Sequence, residues 1–208
     1  MFIDVQEKSR DWIAVYRLCI SFINPRPIAL VSTVSANGKT NLAPFSFYQM
    51  VCANPPVVII CPSLRRDRSP KDTLRNIRAT GEFVIATVTE SIAEPMVRCG
   101  AELPYGRSEF EFAGLTPGPA RHVRPPYVAE SPVNIECRLR QVVEIGEGPG
   151  STAVVFGDIV AIDVRDEVLE PGGQACDPKK LRTVGRLGGK YYSVVRDVFE
   201  LDVPEPPK

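Results

Sequence analysis

The chain has 208 residues, with 25 basic and 25 acidic side chains and a formal net charge of zero. The length allows one large domain or two small ones, and because no shift in composition marks a linker, we expect a single domain over residues 1–208 with a sizeable core. The neutral charge argues against nucleic-acid binding through a basic surface. No apolar run approaches the roughly 20 residues that cross a membrane. The charged N-terminal segment lacks the apolar stretch of a signal peptide, so we expect a cytoplasmic protein.

The predicted elements are mostly strands, because short β-branched and apolar runs alternate with turn residues. The strands are predicted at 27–34, 40–47, 57–63, 82–88, 133–146 and 151–165. Asn37-Gly38, between the first two, is typical of a β-hairpin because both residues tolerate positive φ. Long strands that return through tight turns favour a closed antiparallel barrel of six strands or nearly so, with a Greek-key element.

Two or three short helices are expected outside this barrel. The first is predicted to begin with Ser69 as N-cap and Pro70 in the first turn, followed by Asp72 in a position that resembles a capping box. Gly81 is the predicted stop. A second, weakly amphipathic helix is predicted over 90–99.

The cysteines and the histidine show no spacing typical of a metal site or a catalytic triad. The six cysteines contain no CxxC pair, so reduced thiols are favoured over a metal or disulfide framework. The one histidine, His122, lies in a Pro-rich loop without the partners of a catalytic triad. Any chemistry is therefore expected from a bound cofactor, with a protein that performs no chemistry as the alternative.

Residues 63–73 follow an apolar strand and open the first predicted helix. Helix N-termini favour anions, because free backbone N–H groups and a partial positive charge lie there. The segment adds cations at Arg65, Arg66, Arg68 and Lys71 and hydroxyls at Ser63, Ser69 and Thr73. Two interpretations stay open, a phosphate-binding site and a solvated basic loop before an ordinary helix. The P-loop and the GxGxxG dinucleotide fingerprint are both absent.

Several short motifs, taken in order, resemble the flavin reductase-like family of FMN-binding split-barrel proteins, which includes flavoredoxin-type members. The motifs are NPRPIALVSTV (24–34), NG (37–38), NLAPFSF (41–47), NPP (54–56), KDTLRNI (71–77), FAGLT (112–116), ESPV (130–133) and RLGGKYY (186–192). The resemblance covers about residues 20–195. It implies a mainly β split barrel, bound FMN and a homodimer.

The resemblance also implies roles for particular residues. The FMN phosphate is expected at Lys71, Thr73 and Ser63, with Arg65 or Arg66 as a second cation. The isoalloxazine ring is expected beside Ser32, Thr33, Ala43, Pro44, Phe45, Ser46 and Phe47, through backbone N–H donors and apolar contact. Phe45 and Phe47 have barrel core as an alternative role.

Three functions remain open at this level. The first, which the resemblance favours, is an NAD(P)H:flavin oxidoreductase that passes hydride to flavin and supplies a partner monooxygenase or redox protein. The second is an FMN electron carrier without its own NAD(P)H oxidation, and the third is a barrel without a cofactor. The basic cluster 177–182 fits either the phosphate of a nicotinamide nucleotide or a solvated loop.

Overall fold

The computed structural model of the chain describes residues 2–6, 11–65, 67, 69–104 and 106–206. The α-helices in these ranges are α1 (Trp12–Phe22), α2 (Asp72–Thr80), α3 (Ala93–Arg98), α4 (Glu109–Ala113) and α5 (Pro178–Leu181), with 3₁₀ turns at Glu90–Ile92 and Asp166–Val168. The strands are β1 (Arg26–Pro27), β2 (Ala29–Val34), β3 (Thr40–Phe45), β4 (Tyr48–Cys52), β5 (Val57–Ile60), β6 (Glu82–Thr87), β7 (Pro117–Gly118), β8 (Tyr127–Val128), β9 (Val133–Ile145), β10 (Thr152–Val164), β11 (Val184–Arg186) and β12 (Tyr192–Val194). None of the described helices is long and apolar enough to span a bilayer.

Seven strands form one curled antiparallel sheet in the order β3-β2-β6-β9-β10-β5-β4. Its two edge strands, β3 and β4, are consecutive in the chain and are joined only by Ser46 and Phe47. The sheet therefore curls until its edges approach each other at that corner, which gives a half-closed, split barrel. The predicted mainly β, antiparallel split barrel is confirmed, with β4 as a strand that the sequence did not reveal.

The connection from β5 to β6 crosses the sheet, because β10 and β9 lie between these two strands. Helix α2 makes this crossing and buries Leu74 and Ile77 completely. Both side chains pack in one core cluster with barrel residues such as Phe83 and Val155. The first turn of α2 is thereby fixed beside the ends of β2 and β3.

Strand β2 is buried along its whole length because both of its faces are covered. Ala29 and Val31 belong to the cluster shared with α2, whereas Leu30 packs in a second cluster. That second cluster includes Met96 of α3 and Phe110 of α4. One layer of side chains packs on each face of β2, and the layer that contains Met96 holds α3 beside this strand.

The predicted hairpin and helix stop are confirmed, but the predicted start of α2 is wrong. Gly38 and Gly81 both have positive φ, 77° and 71°. The helix begins at Asp72, with extended Lys71 as N-cap, instead of at Ser69 and Pro70. Ser69 binds Asp67 through its hydroxyl, at 2.6 Å, so its oxygen does not cap the helix.

Helix α1 is a further element that the sequence analysis did not predict. It is strongly apolar, yet none of its residues is buried. The Arg26 guanidinium donates to the carbonyls of Ile20 and Ile23 at 2.9 and 2.6 Å, and to that of Leu187 at 3.0 Å. One buried arginine therefore joins the C-terminal end of α1 to the segment between β11 and β12.

Candidate functional site

Two adjoining pockets form a groove beside the barrel. The narrow pocket encloses about 100 Å³ and the wide pocket about 470 Å³, and Pro44 and Gly100 line both. The narrow pocket is lined by Asn41, Ala43, Pro44, Arg65, Lys71, Asp72, Thr73, Cys99, Gly100, Ala101, Glu102, Leu103 and Glu109. The wide pocket is lined by Ile28, Pro44, Phe45, Ser46, Met96, Val97, Gly100, Arg186, Lys190 and Tyr192.

The narrow pocket lies at the N-terminus of α2. The first intrahelical bond runs from the Arg75 amide to the Lys71 carbonyl at 3.0 Å. The amides of Asp72, Thr73 and Leu74 precede that bond in the chain, so they have no carbonyl partner within the helix. No side chain caps the helix either. This end of α2 therefore offers N–H donors and a partial positive charge to an anion.

Two cationic side chains border these amides. The Lys71 Nζ lies 5.7 Å from the centroid of the Phe45 ring. Burial lowers the pKa of Lys71, an effect that Glu102 opposes and Arg65 reinforces. The Arg65 guanidinium donates to the Pro70 carbonyl at 2.5 Å and pairs with Asp72 at 3.1 Å, so it also shapes the loop before the helix.

Thr73 is held by a buried polar network. Its Oγ1 accepts from Asn41 Nδ2 at 3.0 Å, and the same Asn41 nitrogen lies 3.3 Å from Thr33 Oγ1. Asn76 also donates to Thr33 Oγ1, at 3.1 Å. Asn41 occupies one acceptor position of the Thr73 hydroxyl, which leaves its O–H available as a donor. The network ties the first turn of α2 to β2 and β3.

Carboxylates also line the narrow pocket, so its charge is mixed. Glu109 is buried and accepts the Leu42 amide at 2.8 Å. Burial raises the pKa of Glu109, an effect that the Leu42 hydrogen bond opposes and nearby Asp72 reinforces. The Asp72 carboxylate is paired with Arg65. Because the Arg65 charge is already paired with Asp72, the backbone amides and Lys71 are the groups in this pocket best suited to attract an anion.

The wide pocket is mainly apolar and is closed on one side by the β11–β12 hairpin. Arg186 and Tyr192 are opposite each other in that hairpin. The Arg186 guanidinium stacks 4.5 Å from the centroid of the Tyr192 ring and also bonds the Tyr192 hydroxyl. An apolar pocket with a few polar groups at its border suits a flat aromatic ligand.

The structure brings seven of the predicted site residues into the groove. They are Ala43, Pro44, Phe45, Ser46, Arg65, Lys71 and Thr73. Ser32, Thr33, Phe47 and Ser63 line neither pocket. Arg66 lies outside the described residues, as does Arg68 of the same loop.

The four predicted residues outside the groove have other surroundings. Ser32 and Thr33 are fully buried in β2, where Thr33 supports Thr73 through Asn41. Phe47 is 40% exposed and lies under the Arg26 guanidinium at 6.0 Å. Ser63 forms an isolated β-bridge with Thr152, the first residue of β10. The predicted contacts with FMN stay predictions for these residues: with the ring for Ser32, Thr33 and Phe47, and with the phosphate for Ser63.

Several groove residues were missed by sequence reasoning. They are Asn41, Met96, Val97, Gly100, Glu102, Glu109, Arg186, Lys190 and Tyr192. The RLGGKYY motif was the available signal for Arg186 and Lys190, but no local pattern connects it with β3. The basic cluster 177–182 lies elsewhere, since Lys180 and Arg182 line a separate pocket and Arg182 pairs with Glu90 at 2.6 Å.

The lowered pKa of Lys71 leads to a pH prediction. A phosphate monoester is a dianion above its second pKa of about 6, so above neutral pH its own charge is constant. As pH rises through the pKa of Lys71, which lies below 10.5, the lysine loses its charge. The ratio of the FMN affinity to the riboflavin affinity is therefore expected to fall as the pH rises. Because the pKa of Lys71 is lowered, this fall should come at a lower pH than it would if an exposed lysine bound the phosphate.

Flavin titrations from neutral pH upward measure this ratio. In Lys71→Arg the fall should disappear, because a guanidinium keeps its charge over the range. A ratio that stays constant in the unaltered protein would show that the Lys71 charge does not act on the phosphate.

Comparison with known proteins identifies the class that this fold and groove define. The family model described as "Flavin reductase like domain" matches residues 22–180, and the chain belongs to that family. A protein of Halalkalibacterium halodurans is 41% identical over 191 residues, which cover 91% of this chain and 90% of the relative.

Two solved structures are similar over almost their whole length. Nitrilotriacetate monooxygenase component B from Bacillus cereus has a TM-score of 0.89 at 30% identity, covering 97% of this chain and 99% of its own. The 2-nitrobenzoate 2-nitroreductase of Pseudomonas fluorescens has a TM-score of 0.86 at 30% identity, covering 98% and 96%. The chain is thus related to oxidoreductases of the flavin reductase-like class.

Proposed function

We propose that the protein binds FMN in the groove and acts as an NAD(P)H:flavin oxidoreductase. The observation that carries this proposal is the juxtaposition of an uncapped helix N-terminus and a larger apolar pocket, joined at Pro44 and Gly100. A flavin mononucleotide has the same two parts, a phosphate and a flat, largely apolar ring. Membership of the flavin reductase-like family supports the same cofactor.

The donor set of the narrow pocket fits a phosphate. Backbone amides of α2, the Lys71 ammonium and the Thr73 hydroxyl are all donors, and charge-assisted hydrogen bonds to phosphate oxygens are strong. Riboflavin would leave these donors without an anion. The narrow pocket therefore favours FMN over the unphosphorylated vitamin.

The wide pocket holds the ring in this proposal. Phe45, Met96 and Tyr192 supply apolar contact, while the backbone near Pro44 and Ser46 lies at the ring's edge. When bound, FMN supplies two-electron redox chemistry, accepting hydride from the nicotinamide nucleotide. The chain's own task is to orient the ring, exclude water from one face and hold the phosphate, so no side-chain nucleophile is required.

The destination of the electrons is proposed from the structural relatives. The Bacillus cereus neighbour is one component of a monooxygenase. By analogy, this chain would supply reduced flavin to a separate oxygenase or redox protein. The partner is thus inferred by analogy with a protein of the same fold, whereas the flavin is inferred from the groove itself.

Binding and turnover test the proposed function separately. FMN titration of the flavin-free protein should show saturable binding tighter than that of riboflavin. With FMN present, the protein should oxidise NADH or NADPH at a rate that depends on protein concentration. FMN binding without oxidation of either nucleotide would contradict the reductase and favour an electron carrier, and absence of FMN binding would refute the proposal altogether.

A homodimer is part of the same proposal. Trp12, Tyr16 and Phe22 on α1 are 51%, 46% and 63% exposed, and such apolar surface commonly marks an interface. Stable dimers commonly bury more than about 2,000 Å². Light scattering at micromolar concentration is expected to give twice the 22.9 kDa chain mass.

A charge placed on α1 should disturb the dimer. Phe22→Glu is expected to shift the mass towards that of one chain, whereas Phe2→Glu, which alters an exposed aromatic residue outside α1, should not. A single-chain mass for the unaltered protein would contradict the dimer.

A further inference from the structure

Within the described ranges, the charged residues that line the wide pocket are cationic. They are Arg186 and Lys190, and no carboxylate of the described residues accompanies them. The narrow pocket, in contrast, has Asp72, Glu102 and Glu109 beside its cations. A cleft lined by one sign of charge with apolar walls attracts ligands of the opposite sign.

Neither cation is neutralised within the described part of the chain. The Arg186 guanidinium bonds the Tyr192 hydroxyl and, at 2.6 Å, the Gly189 carbonyl, and both of these partners are uncharged. No ion pair of the described residues includes Arg186 or Lys190. An arginine has five N–H donors, so Arg186 keeps donors for a ligand while its neutral contacts hold it in place.

The hairpin that carries these cations is fixed against the body of the protein. In the register of the sheet, Arg186 lies opposite Arg26 of β1 on one side and opposite Tyr192 of β12 on the other. The Leu187 carbonyl accepts from Arg26, and a Cβ on Gly188 would lie 3.2 Å from the Ser21 Cα of α1. Arg186 is half-buried and Lys190 is exposed, so the cations border the solvent side of the pocket.

The anion that these cations attract is distinct from the flavin phosphate. The proposed phosphate site lies beyond Pro44 and Gly100, where α2 supplies its own donors. In the proposed complex, a nicotinamide that transfers hydride would stack on the flavin ring in the wide pocket. Arg186 and Lys190, at the solvent border of that pocket, would then be the cations available to its diphosphate.

We propose that Arg186 and Lys190 bind the diphosphate of the nicotinamide nucleotide and select anionic hydride donors over neutral ones. This inference rests on the proposed function. Hydride leaves the dihydronicotinamide carbon with its electron pair and reduces the flavin, and the donor leaves as the oxidised nucleotide. The two cations take no part in that transfer and act only in binding.

A neutral donor separates recognition of the diphosphate from the chemistry. N-benzyl dihydronicotinamide has the same reacting ring as NADH but carries no phosphate. In Lys190→Gln, the KM for NADH should rise roughly 3- to 10-fold, as expected for losing one exposed charge-assisted contact. The KM for the neutral donor, and kcat for both donors, should not change. Lys39→Gln, which alters an exposed lysine in the turn between β2 and β3, is the matched control.

Equilibrium binding gives a readout that does not depend on turnover. Calorimetric titration of the FMN-loaded protein with NAD⁺ should give a Kd that rises by the same factor in Lys190→Gln. The unaltered protein should also lose more affinity with added salt than the variant does, because salt screens exposed charges. Arg186→Lys, which keeps the charge but loses the fork of donors, should retain part of the affinity.

Three results would overturn the inference while leaving the proposed function intact. One is an unchanged KM for NADH in Lys190→Gln, and another is an equal rise for NADH and the neutral donor. The third is a loss of FMN affinity that riboflavin does not share, since Lys190 would then serve the flavin phosphate. Failure of the unaltered protein to bind FMN would instead refute the proposed function.

Discussion

Lys71→Ala is expected to raise the dissociation constant for FMN about 10- to 150-fold and to leave that for riboflavin almost unchanged. One hydrogen bond to a charged group contributes roughly 1.5–3 kcal/mol, and each 1.4 kcal/mol is a tenfold change. Riboflavin lacks the phosphate that Lys71 would bind. Fluorescence titration of both flavins with both proteins measures the two effects.

The surroundings of Lys71 decide how this variant should be controlled. The residue is the half-buried N-cap of α2 and lies against Phe45, so its replacement by alanine also removes packing. Lys71→Met removes the charge but keeps an unbranched side chain of similar length. It therefore separates the effect of the lost charge from the effect of the lost packing. Equal losses for FMN and riboflavin in both variants, or no loss for FMN, would remove Lys71 from the phosphate site.

Gly100→Leu is expected to weaken FMN and riboflavin alike, by about 5- to 150-fold. Gly100 lines both pockets, and a side chain there would enter the passage between them. Forcing extra methylene groups into a filled space costs about 1–3 kcal/mol. The same flavin titrations measure the effect, and the pattern should differ from that of Lys71→Ala because the block does not involve the phosphate.

Gly100→Ala is the matched control for the added bulk. Any Cβ at this position would lie 3.1 Å from the Val97 carbonyl oxygen, so both variants disturb that contact equally. Only leucine reaches into the passage. Loss of flavin affinity in the alanine variant equal to that in the leucine variant would attribute the effect to the backbone and count against a flavin that spans both pockets.

The strands could be predicted because their signal is local. The β-branched runs of β2, β6, β9 and β10 stand out in the sequence, and the Asn37-Gly38 turn fixes the first hairpin. Strand β4 was missed because it is an edge strand with an exposed, mixed sequence. Helix α1 was missed because its apolar residues surround the helix and give no one-sided pattern.

The candidate site divides in the same way. One side of the narrow pocket is formed by β3 and by Arg65, Lys71, Asp72 and Thr73, whose proximity follows from a helix start beside a strand end. The other side comes from 99–103 and Glu109, which reach the pocket only through packing. The start of α2 was still misplaced, because Ser69 binds Asp67 and Arg65 binds the Pro70 carbonyl instead of capping the helix. Competing side-chain contacts of this kind have no signature in a single sequence.

The far wall of the wide pocket depends on pairing between distant segments. Arg186 reaches the groove because β11 pairs with β1, about 160 residues earlier, and because the Val184 amide bonds the Val88 carbonyl at 2.9 Å. Met96 and Gly100 arrive through packing of α3 on β2 and β3. No local periodicity encodes these contacts, so only a family motif pointed to the hairpin.

The anaerobic absorbance spectrum of the FMN-loaded protein tests the central claim most directly. Adding NADH or NADPH is expected to abolish the visible absorbance of the oxidised flavin, with one nucleotide oxidised for each flavin reduced. Dithionite serves as the control that the bound flavin can be reduced. A spectrum that dithionite bleaches but neither nucleotide changes would contradict the assignment as an NAD(P)H:flavin oxidoreductase.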